Sequence, residues 1–260
     1  MTSIVTSITG SFNSLGRLTL FIDEILRTLR KTRGNLQPIL EQILNVTYRS
    51  FSTVAFSGIF IGAILVLQFN SILAKYDAQV FLGGLNTSSI IREVGPLIIS
   101  FLLAGKVGAF TTAELGTMRV TEQIDAIRCL GTNPLQFLVL PRFIAIAISS
   151  VILLTLALLI SILGSIGFSY AFCGINPLQF IQTIPRFVNH WILFASVVKC
   201  LVYGTIVAAV SCYEGYFATG GAQGVGQAVT RAAVRTNLYI IFSQFVMSQL
   251  FNSIGEWLKS

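Results

Sequence analysis

SFSTVAFSGIFIGAILVLQFNSILA, residues Ser50 to Ala74, holds no charged side chain. A helix rising about 1.5 Å per residue needs about 20 apolar residues to cross the hydrocarbon core of a bilayer. The stretch reads as a membrane span, and the rest of the 260-residue chain agrees with it. Hydrophobic residues make up 54% and charged residues only 10%, where a soluble domain has about 25% charged. Mean hydropathy is +0.80. So few charges cannot coat a water-soluble surface of this size. That excludes a soluble enzyme, a disordered tail and a fibrous repeat. The fold class is all-α integral membrane, because a helix satisfies its own backbone hydrogen bonds in lipid.

Four further spans are expected outward from this one, at about 89–113, 142–168, 191–212 and 236–255. The polar stretch with Lys75, Asp77 and the Gly83-Gly84 turn separates the first two. Tyr170 to Pro185, broken by Gly174, Pro177 and Pro185, reads as an interfacial loop, with a re-entrant hairpin as the alternative. Towards the N-terminus, Leu15, Leu18, Ile22, Ile25, Leu26 and Leu29 recur at helical spacing opposite Asp23, Glu24, Arg27 and Arg30. Before a span, such a stripe is expected to lie in the membrane interface. The cluster Arg27, Arg30, Lys31 and Arg33 would favour anionic headgroups, and Gly34 and Pro38 break the helix. Residues 1–45 are therefore an N-terminal interfacial helix and linker, and 46–260 the spanning domain. Met1 to Gly10 is too polar for the apolar core of a signal peptide.

The net charge is +7. On a soluble protein that would suggest nucleic acid; here it fits the excess of Lys and Arg in loops on the cytosol-equivalent side, and no nucleic-acid partner is expected. With the N-terminus inside, twelve of the 17 basic residues fall on that side and four on the other, with Lys199 inside a span. Five spans then leave the C-terminus outside.

Little in the chain suggests catalysis. Cys129, Cys173, Cys200 and Cys212 form no CxxC pair, and with the single His190 they make no metal cluster, so neither metal nor cofactor is expected. No GxxxxGK[ST] occurs, so the chain has no phosphate loop for ATP. Asn133-Pro134-Leu135-Gln136-Phe137 recurs as Asn176-Pro177-Leu178-Gln179-Phe180, but the flanking residues do not match and no inverted repeat is built on it.

Three segments stand out. Glu114 to Pro141, ELGTMRVTEQIDAIRCLGTNPLQFLVLP, lies between two spans on the basic side. Thr121 reads as an N-cap, Glu122 and Asp125 as first-turn acids, Arg128 as a last-turn base, and Gly131 and Pro134 as stops. A short helix within about 114–131 would present Ile124, Ile127 and Leu130 on one face and Arg119, Glu122, Asp125 and Arg128 on another. It is either a solvated loop helix or a docking helix for a soluble partner. The second segment, Glu214 to Arg235, carries Gly215, Gly220, Gly221, Gly224 and Gly226. It reads as a flexible loop, or as close backbone packing between elements. The third feature is the charges within spans: Arg92, Glu93, Lys106 and Lys199. Arg92 and Lys106 can reach the interface; Glu93 and Lys199 fall at comparable depth from the outer side, which allows an interhelical pair.

Together these residues resemble the MlaE family of ABC-transporter permeases. The resemblance rests on REVGP (Arg92 to Pro96), AGKVGAFTTAELGTMRVTEQIDAI (Ala104 to Ile127), Pro141-Arg142, Lys199 with Tyr203-Gly204, and GGAQGVGQAVTRA (Gly220 to Ala232), and it covers most of the chain from about Val46. It implies an interfacial helix, five spans and a cytosol-side coupling helix. Glu114, Arg119, Glu122, Asp125 and Arg128 would form the region that meets a separate ABC ATPase subunit. Glu93 and Lys199 would be polar positions of a lipid cavity between two permease copies, and Gly220, Gly221, Gly224 and Gly226 a structural glycine loop. Two positions depart from the family: Gln223 and Gln244 stand where acids are usual, which bears on any polar network involving the last span.

The function implied is that of a homodimeric permease subunit without its own nucleotide site. It would move a phospholipid or phosphatidic acid with an ATPase on one face and an MCE-domain substrate-binding protein on the other. Abundant Ile and Phe suggest an AT-rich genome, hence a plastid envelope membrane, with a cyanobacterial or bacterial inner membrane as the alternative. A competing function is an ATPase-independent secondary transporter or channel, which should show inverted repeats and acids at mid-membrane. A membrane-embedded enzyme would need a nucleophile and base that the sequence does not supply.

Overall fold

The structure, a computed structural model, describes residues 16–29 and 36–257. Every regular element among them is helical. Helix α1 covers 16–29. It buries Phe21 and Ile25 and leaves Leu26 and Leu29 half in the open, so the buried stripe is narrower than its leucines suggest. Leu15 and the basic residues Arg30, Lys31 and Arg33 lie outside the described residues.

Helix α2 runs Leu36–Leu73 and contains the charge-free stretch. Pro38 falls in its first turn, where the missing N–H has no intrahelical partner to lose. Pro38 thus opens α2 rather than ending the helix before it, and residues 36–45 are helix rather than linker.

The next column is assembled from α3 (Leu82–Ser89), α4 (Gly95–Leu103) and α5 (Ala109–Val120), joined by π-helical turns at Ile90–Val94 and Ala104–Gly108. It extends beyond the expected 89–113 at both ends. The Gly83-Gly84 pair is not a turn but part of α3. A Cβ on Gly83 would collide with the carbonyl oxygen of Phe180, so the pair serves close helix contact.

The region expected as one helix over about 114–131 divides in two. Glu114 to Val120 completes α5, and a separate α6 covers Gln123–Cys129. Thr121 is not an N-cap: its hydroxyl donates back to the Thr117 carbonyl at 2.8 Å and it closes α5. The chain reverses at Glu122, which holds a left-handed backbone with φ 61°. Gly131, φ 77°, follows the end of α6, as its sequence position suggested. Ile124 is buried, but Leu130 lies beyond the helix and is 82% exposed, so the expected three-residue apolar face is broken.

Helix α7 (Leu140–Cys173) follows a π-helical turn at Leu135–Val139. The stretch expected to be an interfacial loop is helical: α7 continues to Cys173, and α8 covers Pro177–Phe187. Asn176 caps α8 by accepting from the Leu178 N–H at 3.0 Å, and Pro177 fits the first turn. Helix α9 spans His190–Tyr216 and α10 spans Gly221–Trp257. The glycine-rich segment is therefore no loop. Gly220 and Gly221 make the turn with φ 93° and 65°, and Gly224 and Gly226 already belong to α10. Ala222 and Gln223 between those glycines, and the Gln-Ala run after them, favour helix strongly enough to carry it.

Among the described residues four helical columns are long and apolar enough to cross a membrane: Gln37–Tyr76, Gln79–Val120, Leu135–Cys173 and His190–Tyr216. α2 lies along α7, α7 against α9, and α9 against α10, with the α3–α5 column packed among them. Their common core includes Val54, Ile99, Leu103, Ile146, Leu153, Tyr203, Val207 and Ile240. Small residues set the spacing. A Cβ on Gly62 of α2 would strike the Ser161 carbonyl of α7. Large apolar side chains such as Phe56, Phe60, Ile64, Leu159 and Leu163 face outward, as a lipid solvent allows.

Candidate functional site

The first site begins with a proline. Pro96, near the start of α4, has no N–H to give the carbonyl of Arg92 four residues earlier. Lys199 of α9 supplies the missing donor: its Nζ lies 3.0 Å from that oxygen. The same Nζ is 2.9 Å from Glu93 Oε2 and 2.9 Å from Ser248 Oγ. Lys199 is only 1% exposed, whereas its partner Glu93 keeps about a third of its side chain exposed. The π-helical turn Ile90–Val94 carries Arg92 and Glu93, and such turns are favoured where a helix must redirect a functional side chain.

Glu93 accepts from three side chains on that one oxygen. Besides Lys199, Ser248 donates at 2.6 Å, and Gln244 Nε2 donates to it. Gln244 Oε1 in turn accepts from the Tyr203 hydroxyl. The expected pair of Glu93 and Lys199 is thus joined by Tyr203, Gln244 and Ser248; the sequence ties Gln244 to a polar network of the last span and groups Tyr203 with Lys199, but does not single out Ser248. A signal for them existed: Lys199 and Tyr203 are four apart on α9, as are Gln244 and Ser248 on α10, so each pair shares a helix face. Gln244 joins the network as donor to one side and acceptor to the other. A cleft of about 560 Å³ opens beside Lys199, lined also by Arg92, Asn189, Trp191, Gln249 and Asn252.

The second site gathers at the α6 end of the bundle. Arg119 Nη1 lies 2.8 Å from both carboxylate oxygens of Asp125, tying α5 to α6 across the Glu122 corner. Arg128 Nη2 donates to the Tyr216 hydroxyl at 3.2 Å, and its Nη1 lies 3.7 Å from Asp125. Ile124 packs beneath them with Phe21 and Ile25 of α1, Leu115 of α5 and Tyr216 of α9. The charged face expected from sequence therefore divides. Arg119, Asp125 and Arg128 are brought together, Glu122 stands exposed at the corner, and Glu114 turns inward.

Glu114 meets Arg142 at the start of α7 in a two-pronged contact, 2.9 Å and 3.1 Å. A similar contact holds the glycine-rich end. Glu214, 6% exposed, receives Arg231 at 3.2 Å and also pairs with Arg235, fixing α9 to the first turns of α10. Gly224 admits the Thr219 carbonyl, and Gly226 has open space around it. Gly116 of α5 lets Val225 and Ala218 approach. Among the described residues no group of three His, Cys, Asp or Glu is placed to hold a metal.

The sequence was compared with known proteins. A probable ABC transporter permease protein of Synechocystis is 37% identical over 225 residues, covering 86% of each chain. A probable ABC transporter permease protein of Porphyra purpurea is 35% identical over 240 residues, covering 92% of this chain and 91% of its own. The chloroplastic protein TRIGALACTOSYLDIACYLGLYCEROL 1 of Arabidopsis thaliana is 31% identical over 237 residues, covering 91% of this chain and 67% of its own. The family model described as Permease MlaE matches residues 39–250, which takes in all but the first two residues of the four columns and the charged residues of both sites. With its four apolar columns and this match, the chain is a membrane protein and belongs to the MlaE family of ABC-transporter permeases.

Proposed function

We propose that this chain is the lipid-moving permease of an ABC transporter and works as a homodimer with a separate ATPase. One observation carries the reading: the Glu93–Lys199 pair is kept inside the helix bundle beside an open cleft. A lone charge within a span costs up to roughly 2.5–3.5 kcal/mol on insertion scales, the full cost applying at the bilayer centre, so a charge kept within a span is paired or retained for a task. The Lys199 ammonium, paired with Glu93, borders a cleft whose polar lining of Arg92, Asn189, Gln249 and Asn252 suits the headgroup of a lipid whose tails run along the spans. The name of the Arabidopsis relative, that of a glycolipid, supports a lipid cargo; phospholipid or phosphatidic acid is the proposed substrate here.

A fifth span over residues 236–255 completes the reading. That part of α10 carries no charged residue, and at about 1.5 Å per residue it is long enough to cross. Its Asn, Gln and Ser residues lower its apolarity because it carries half of the polar network. Helix α1 lies in the interface. The ATPase docks at the α6 corner through Arg119, Glu122, Asp125 and Arg128. Glu114 holds α5 to α7 behind them, and the Gly220–Gly226 turn sets α10 beside α5. An MCE-type protein meets the opposite face. The membrane is that of a plastid envelope, or the inner membrane of a cyanobacterium or other bacterium.

The test is reconstitution of the chain with its co-purifying ATPase in liposomes. Removing both charges with Glu93→Gln and Lys199→Met should slow ATP-driven lipid transfer by about tenfold or more, the worth of one charged hydrogen bond. An unchanged rate from a folded double variant would sink the headgroup role. Purification without any ATPase would sink the coupling.

A further inference from the structure

A second cleft lies between α2, α5 and α7, with a volume of about 190 Å³. It shares no lining residue with the cleft beside Lys199. Its floor is apolar, from Val46, Val107 and Ile146, and its rim carries Arg49, Lys106, Arg142 and Glu114. Arg142 and Glu114 neutralise each other. Arg49 and Lys106 have no carboxylate partner among the described residues. Arg49 lies over the Phe110 ring at 5.2 Å, and Lys106 Nζ donates to Thr53 Oγ1 at 2.7 Å. The rim therefore keeps an uncompensated double positive charge over an apolar floor. Ser50 also lines the cleft; it is 2% exposed, and its buried hydroxyl has no hydrogen-bond partner among the described residues.

Depth decides what such a cleft would take. Arg49 is the last charge before the run Ser50 to Ala74, so it stands where hydrocarbon gives way to headgroups. Glu114 and Arg142 place the cleft at the α6 end of the bundle. We propose that this cleft binds the phosphate of an anionic glycerophospholipid from the leaflet on the α6 side. Arg49 and Lys106 hold the phosphate, and the valines and Ile146 hold the glycerol and upper acyl carbons. Free phosphate offers the same charge but has nothing to place on the apolar floor. This site does not rest on the transport reading, since a permease that moved another cargo would keep it.

The experiment uses the full chain in phosphatidylcholine nanodiscs containing about one-tenth phosphatidylglycerol with a diazirine near the headgroup. Illumination should label peptides holding Arg49 and Phe110. In detergent, titration followed by native mass spectrometry should show phosphatidylglycerol bound more tightly than phosphatidylcholine. Arg49→Gln with Lys106→Gln should weaken it by about fivefold per cation, roughly 25-fold for the pair. Arg49→Lys with Lys106→Arg should retain binding, and Arg186→Gln, a remote exposed cation, should leave it unchanged. Equal retention of phosphatidylglycerol by the Gln pair, or labelling confined to other helices, would overturn the site. If millimolar inorganic phosphate displaced the lipid through the same two residues, the lipid would be the wrong ligand and the proposal would fall.

Discussion

Glu93 Oε2 accepts from Lys199, Gln244 and Ser248 at once. Two of these donors, Gln244 and Ser248, are neutral. Gln244 can donate to Glu93 while accepting from Tyr203, which an ionised aspartate cannot do. Gln244→Asp should therefore destabilise this chain. It removes one donor from Glu93 and sets a second carboxylate against the first. A loss of about 1–3 kcal/mol is expected from the unpaired partners, read as a lower midpoint of thermal unfolding in detergent. A midpoint equal to or above that of the parent would show that Lys199 can serve two acids here.

Among the elements, α6 is the most exposed to test, because it hangs on one residue. Glu122 holds φ 61°, a region that costs a non-glycine residue roughly 1–2 kcal/mol. Glu122→Gly should relieve that cost while removing the carboxylate. The expected outcome is a chain at least as stable as the parent that captures less ATPase in a pull-down. Undiminished capture would remove Glu122 from the docking surface. This corner also marks the limit of what the sequence disclosed. Periodicity located the four apolar columns and the short helix after Thr121, because those signals are local. It misplaced the cap by a residue, since a left-handed glutamate has no sequence signature. It read Gly83-Gly84 as a turn and left Gly220 to Gly226 open between flexible loop and close packing, because a glycine that admits a neighbouring backbone looks the same in sequence as one that bends. Glu93 and Lys199 were legible as charges inside spans. Gln244 stood out for a polar network in the last span, but the partnership of Tyr203 and Ser248 was not legible, because a hydroxyl in a span needs no explanation until its neighbour is known.

At the scale of the whole molecule, two native thiols report the topology. Cys129 ends α6 and is exposed, whereas Cys173 ends α7, a helix of 34 residues, and is half-buried. At about 1.5 Å per residue, α7 is longer than the hydrocarbon core is thick, so the two thiols emerge on opposite sides. Cys200 and Cys212 are buried and should stay silent. A membrane-impermeant maleimide added to vesicles sealed with the α6 end outward should label Cys129 directly, and Cys173 only after the vesicles are opened. Labelling of both from one side would contradict the crossing of α7. The salt links Glu114–Arg142 and Glu214–Arg231 bind successive columns together at the α6 end, and the Gly62 contact locks α2 onto α7. Movement of this subunit should accordingly be that of one block.

Residue 96, an imino acid, has a last consequence. By withholding a hydrogen it leaves the Arg92 oxygen free to act as a fixed, uncharged tether for the Lys199 ammonium. A passing anion could then draw the ammonium away from Glu93 without setting it loose, so the cation can change allegiance and return. Pro96→Ala would hand that oxygen back to the helix ladder and leave the lysine moored to side chains alone.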